Sequence, residues 1–134
     1  MRVFVYSVII LFITGGMMNA KSLNPSEVNA VKKACLDYVE GFYESDANRM
    51  KNGIHPLLVK RDAKLNQMTR DELVSIATGK TWSKPDGGIS VDVYDISGNI
   101  AAARIISEYV DYVHLLKVNG KWQIVNVLWD FNVN

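Results

Sequence analysis

Cysteine is nearly missing from this sequence, Cys35 being the single one in 134 residues, so no disulfide can form within the chain. Stability must therefore come from packing or from association of subunits. Histidine is scarce too. His55 and His114 are the only two, and with one cysteine they make no cluster at a known spacing, whereas zinc takes three or four nitrogen or sulfur ligands. No metal is expected. No cofactor is expected either, since there is no glycine-rich loop to cradle phosphate and no Gly-x-Ser-x-Gly elbow to present a nucleophile. A surplus of one charge is also missing. Once residues 1–20 and their lone Arg2 are set aside, 14 Lys and Arg face 14 Asp and Glu over residues 21–134. That balance argues against a nucleic-acid partner, because phosphate affinity grows with the number of basic contacts. Lys32-Lys33 and Lys60-Arg61 are too short to reverse it and read as solvated faces.

The sequence does have an N-terminal segment unlike the rest. Arg2, the apolar run Val3–Ile13, the pair Gly15-Gly16 and Ala20 before Lys21 form the basic, apolar and small-residue parts of a secretory signal peptide. The run is 11 residues long, short of the roughly 20 that a spanning helix needs. An uncleaved anchor is the alternative. The expectation is an exported protein, periplasmic or extracellular, free of the membrane once the signal is removed. No cysteine follows the signal to take a lipid. Residues 21–134 are then one domain, large enough for a single core.

Periodicity divides that domain in two. Asn24-Pro25-Ser26-Glu27 has the cap, the first-position proline and the early acid of a helix start. Val28, Val31, Cys35, Tyr38, Val39 and Phe42 continue it as one apolar stripe, which makes Cys35 a buried, inert thiol. Ser45-Asp46 caps a short helix through Met50, ended by Gly53. Leu57–Arg61 suggests a short strand, Thr69 and Glu72 a capping box for a helix over 70–78, and 81–88 a loop. From Gly88 the period is two, predicting strands 89–96, 99–109, 111–118 and 121–131. Asn119-Gly120 supplies the last hairpin turn.

Counting out from that turn pairs Val118 with Lys121, Leu116 with Gln123, His114 with Val125, Tyr112 with Val127 and Val110 with Trp129. The other face takes Lys117 with Trp122, Leu115 with Ile124, Val113 with Asn126 and Asp111 with Leu128. Both faces are apolar, while an antiparallel sheet normally wets one. One face must meet the helices and the other suggests a second subunit.

The run Asp111–Trp129, together with Ala34–Tyr43 and His55-Pro56, resembles the Putative lumazine-binding family, a branch of the nuclear transport factor two-like and SnoaL-like superfamily that also holds ketosteroid isomerases. The resemblance implies an α+β fold: a cone-shaped barrel of three N-terminal helices packed on a curved, mostly antiparallel sheet, with a pocket between the first helix and the concave face, in a dimer. Ketosteroid isomerase pairs an Asp base with a Tyr and a protonated Asp that stabilise an enolate oxygen. By resemblance Tyr38 falls on the oxyanion tyrosine, Tyr112 at the protonated Asp, Trp129 on a pocket tryptophan and Asp62 close to the base. The same match makes the face of His114 and Trp129 the concave one.

Three readings follow. In the first, the chain binds an apolar or planar heterocyclic small molecule, lumazine-like by the family's name, through Tyr38, Phe42, His55, Tyr112, His114, Val125 and Trp129. Aromatic rings can stack on such a ligand and hydrogen-bond its edge, although each of these residues can also be plain core or loop. In the second, an isomerase, dehydratase or cyclase without cofactor uses Asp62 or His114 as base and Tyr38 with Tyr112 as oxyanion donors. In the third, a filled barrel serves only interaction. In each case a homodimer is expected through the convex face, with Trp122, Ile124, Leu128, Leu115 and Val113 as its apolar row.

Overall fold

The structure is a computed structural model and describes residues 22–133; the expected signal, 1–20, lies outside the described residues. Among those described, no helix is long and apolar enough to cross a membrane. Helix α1 spans Pro25–Tyr43, with the Asn24 side chain accepting from the Ser26 N–H and proline at the first turn. Helix α2, Ala47–Gly53, is capped by Asp46. Strands β1 (Ile54–Asp62) and β2 (Gln67–Thr69) precede helix α3, Arg70–Thr78, whose capping box forms between Thr69 and Glu72. Strands β3 (Ser90–Ser97), β4 (Ile100–Ile106), β5 (Tyr109–Val118) and β6 (Lys121–Phe131) complete the chain.

The six strands run β2-β1-β6-β5-β4-β3 in one open sheet, and three helices cover one of its faces, an α+β fold as the periodicities imply. All pairings are antiparallel except β1 with β6. Two elements went unread in the sequence: β2, only three residues long, and the parallel contact that places β1 beside β6. The bend expected near Tyr109-Val110 comes earlier, at Ser107-Glu108. Gly53 does more than end a helix. A Cβ there would lie 2.3 Å from the Ala34 carbonyl oxygen and 2.8 Å from the Tyr38 nitrogen, so its bare Cα lets α2 press onto the backbone of α1.

The final hairpin starts in the counted register and then departs from it. Asn119 and Gly120 both have positive φ (51° and 76°), as a type I′ turn requires. Val118 pairs with Lys121, Lys117 with Trp122, Leu116 with Gln123 and Leu115 with Ile124, but His114 pairs with Asn126 rather than Val125. The extra residue is a β-bulge, and beyond it every residue of β6 changes face relative to simple alternation. Ile124 and Val127 are therefore both buried, while Tyr112 and Leu128 point outward and stand about half exposed.

This corrects the face assignment. Trp122, Ile124, Leu115 and Val113, expected on a free convex face, lie in the core beneath the helices with Val31, Cys35, Tyr38 and Leu58. Of the expected convex row, Leu128 alone is on the outer side. Tyr112 and His114, expected on the concave face, are outside too. Trp129 reaches the helix side because the bulge turns it there. The thiol of Cys35 is fully buried, and burial pushes it up to about 12, as befits an inert core sulfur.

Candidate functional site

The inner face carries a polar cluster among apolar neighbours. On β1, Leu58 and Lys60 share a side under the period-two rule, and both are buried. The Lys60 ammonium donates to the Tyr38 hydroxyl of α1 at 2.6 Å and pairs with the Asp111 carboxylate of β5 at 3.4 Å. Tyr38 in turn donates to Asp111 at 3.1 Å. Two aromatic rings complete the surroundings of the ammonium, with centroids 5.0 Å (Trp129) and 5.3 Å (Tyr38) away, within cation–π range. Of its three N–H bonds, two are taken by Tyr38 and Asp111, and the third has no side-chain acceptor among the described residues.

Burial sets the chemistry of the cluster. It disfavours the Lys60 ammonium and lowers its pKa from the ordinary lysine value, an effect that Asp111 opposes. Burial and then the Asp111 charge push Tyr38 well above its ordinary 10.0, so Tyr38 stays a protonated donor. Desolvating a charged pair costs several kcal/mol and is recovered only with good geometry. An apolar trio would fill this space at no such cost. Titratable groups held at this expense in a cleft mark candidate sites.

Beside the cluster lies a cavity of about 150 Å³ walled by the rings of Phe42, Trp82, Tyr109 and Trp129 and lined also by Lys60, Met68, Leu73 and Ile76. A smaller hollow of about 20 Å³ beside Tyr38, Lys60 and Asp111 adjoins it through Phe42, Lys60 and Tyr109. Phe42 meets Trp82 at 4.4 Å, and Tyr109 meets Trp129 edge-on at 5.2 Å. The Trp82 indole donates to the Ala77 carbonyl at 2.9 Å, which ties this wall of the cavity to the end of α3. The Trp129 indole N–H is shielded from solvent and has no hydrogen-bond partner among the described residues.

Of the residues expected at the site, Tyr38, Phe42 and Trp129 are gathered here. The others are not. Asp62 ends β1 and accepts from the Lys64 and Asn66 amides at 2.8 and 3.0 Å and from the Asn66 side chain at 2.7 Å; that last bond chiefly holds its pKa down, and together they order the β1–β2 turn. The Nδ1 of His55 accepts from the Leu57 N–H at 3.0 Å, across the Pro56 kink where β1 slips register against β6. Tyr112, His114 and Val125 lie on the outer face of the sheet, where two hollows of about 360 and 350 Å³ are found. Those hollows are larger than the inner cavity, but no buried polar cluster faces them. Asp111, one position before Tyr112, is the residue that stands beside Tyr38. Sequence reasoning missed Lys60, Asp111, Trp82 and Tyr109. A signal for Lys60 was present, since Leu58 and Lys60 alternate and an inward Leu58 brings Lys60 with it; reading Lys60-Arg61 as a solvated pair is corrected accordingly.

Comparison of the sequence with curated proteins finds no match. Among solved structures, an NTF2-like protein of unknown function from Shewanella baltica is 20% identical, with 84% of this chain and 99% of that one covered at a TM-score of 0.69. A ketosteroid isomerase-like protein from Erwinia carotovora atroseptica is 14% identical, with 83% and 100% covered at 0.65. A protein described as a putative scytalone dehydratase from Novosphingobium aromaticivorans is 14% identical, with 81% and 85% covered at 0.57. At these identities the likeness establishes the fold, which is NTF2-like. The family model described as "Putative lumazine-binding" matches residues 26–130, from the first turn of α1 to the end of β6, so the chain belongs to that family.

Proposed function

We propose that the chain is an exported small-molecule-binding protein whose ligand is a planar or apolar ring seated among Phe42, Trp82, Tyr109 and Trp129, beside the Lys60–Tyr38–Asp111 cluster. The observation that carries this reading is a buried lysine with one N–H left over in the lining of an aromatic-walled cavity. A pocket with apolar walls and a few convergent polar groups is the usual form of a small-molecule site. Size bounds the ligand. A cavity of about 150 Å³ holds one benzene-sized ring, so a two-ring heterocycle of the kind in the family's name would leave its second ring at the mouth. Charge bounds it as well: Asp111 already balances Lys60, which favours an uncharged ligand with a carbonyl or ring-nitrogen acceptor.

Titrating the purified protein with pteridines, flavins and single-ring carbonyl compounds should change the fluorescence of Trp82 and Trp129 and saturate. No change with any of them overturns the proposal.

A second reading, a cofactor-independent isomerase, dehydratase or cyclase, is favoured by one observation: the Tyr38 hydroxyl and the Asp111 carboxylate meet at the small hollow that adjoins the cavity. It draws no support from Asp62 or His114, which lie away from it, and would need Lys60 as its base. A homodimer remains part of the proposal, now through the outer face, where Ile100, Tyr112 and Leu128 are all at least half exposed.

A further inference from the structure

Resting on that pocket, we propose that Lys60 captures its ligand covalently, forming an imine with the carbonyl carbon of an aromatic aldehyde or ketone. Three features of the geometry point to it. Lys60 is the lysine among the residues that line the aromatic cavity, and it is buried, whereas Lys80, whose ammonium lies 3.9 Å from the Trp82 ring centroid, is exposed and is not part of the lining. Its Nζ lies 5.0 Å from the centroid of Trp129, one of the rings that wall the cavity. The Tyr38 hydroxyl at 2.6 Å and the Asp111 carboxylate at 3.4 Å flank the same nitrogen, as a proton relay for addition and dehydration must.

The step balances without any other reactant. The ammonium passes one proton to Asp111. The freed nitrogen pair then bonds to the carbonyl carbon, and the carbonyl π pair moves to oxygen, which takes that proton back. With a second proton drawn from the nitrogen by way of Tyr38 and Asp111, the hydroxyl leaves as water and a protonated imine remains. Overall, one ammonium and one carbonyl give one iminium and one water. The positive charge ends beside Asp111 again, so the ion pair, neutralised while the proton is on Asp111, is restored in the iminium product. Burial, which disfavours the ammonium, works in the same direction as the geometry by easing the first proton loss.

Benzaldehyde, a single ring of the size the cavity admits, is the probe. The purified protein is incubated with it and cyanoborohydride, which adds hydride to an iminium and fixes it as a secondary amine, and the adducts are located by peptide mass mapping. The expected result is an adduct at Lys60 ahead of the exposed lysines, slowed by excess benzyl alcohol, which has the ring without the carbonyl, and lost at that position in Lys60→Arg. Mapping in the wild type decides the question even where the variant folds poorly. Adducts confined to exposed lysines overturn the covalent step; if benzyl alcohol still changes tryptophan fluorescence, the binding reading stands without it. No adduct at Lys60 together with no fluorescence response removes both.

Discussion

The two faces of the sheet are both rich in aromatic and aliphatic side chains, yet they are built for different purposes. The inner face spends burial on ions: Lys60 and Asp111 are each less than a tenth exposed and meet Tyr38 between them. The outer face leaves its ions partly exposed: Arg104 pairs with Asp92 at 2.7 Å, and of the guanidinium only the Nε is shielded without a partner among the described residues. Apolar content therefore does not distinguish a pocket wall from a subunit face in this fold. What distinguishes them is where charge has been taken out of water, because that costs free energy and must be held in place by packing.

Substitution with a carboxylate breaks the contrast most sharply. Ile124 is 0% exposed and Leu128 is 54% exposed. Ile124→Glu must bury a charge at several kcal/mol, comparable with a typical total stability of ~5–15 kcal/mol; it is expected to unfold the chain, as read by circular dichroism. Leu128→Glu is expected to leave the fold intact and, in sedimentation, to turn a dimer into a monomer. A folded Ile124→Glu protein would reverse the faces, and a wild-type monomer at micromolar concentration would end the dimer proposal.

The ion pairs give the next largest effect. Asp111→Ala strands the Lys60 ammonium and should cost ~3–5 kcal/mol in denaturant unfolding, the usual penalty for half of a buried pair. Asp92→Ala removes a partly exposed partner and should cost no more than ~1 kcal/mol. Equal losses would mean that Lys60 and Asp111 are solvated in the native protein.

These contrasts also show how far the sequence could be read. Helices α1 and α3 were legible because caps and a 3.6-residue stripe agree, and the β5–β6 hairpin because Asn119-Gly120 fixes its turn. The faces were not legible, because one bulged residue at Val125 inverts all that follows it, and nothing in Gln123–Asn126 marks a bulge. The site was half legible. Aromatic residues at helix and strand positions pointed to Tyr38, Phe42 and Trp129, while Lys60 was hidden by its neighbour Arg61 and by the unread parallel pairing of β1 with β6.

The smallest effect is in alkali. Burial raises Tyr43 from 10.0 to about 12, and raises Tyr38 and Tyr109 also. A raised folded pKa means that the folded state holds the proton more tightly than the unfolded state. The stability linked to these three tyrosines is thus full below pH 10 and lost as pH climbs, for Tyr43 through about 12. Lys60 opposes this in the window below its ordinary 10.5, since its lowered value makes the folded state bind fewer protons there. Tyrosinate absorbance is therefore a cleaner readout than stability. It should show a late group of tyrosines whose ionisation coincides with unfolding; titration of every tyrosine near pH 10 in the folded protein would place them all in solvent.

The most direct test of the account uses the three tryptophans, which the fold puts in separate places. Trp82 and Trp129 line the cavity, whereas the Trp122 indole donates to Glu27 at 2.8 Å, at the far end of α1. With single-ring carbonyl ligand added to the nitrogen-15-labelled protein, the indole resonances of Trp82 and Trp129 should shift together and saturate at one common ligand concentration while that of Trp122 stays in place. Saturable shifts at His114 and Tyr112 with the Trp82 and Trp129 signals unmoved would put the ligand on the outer face and contradict the inner-face site.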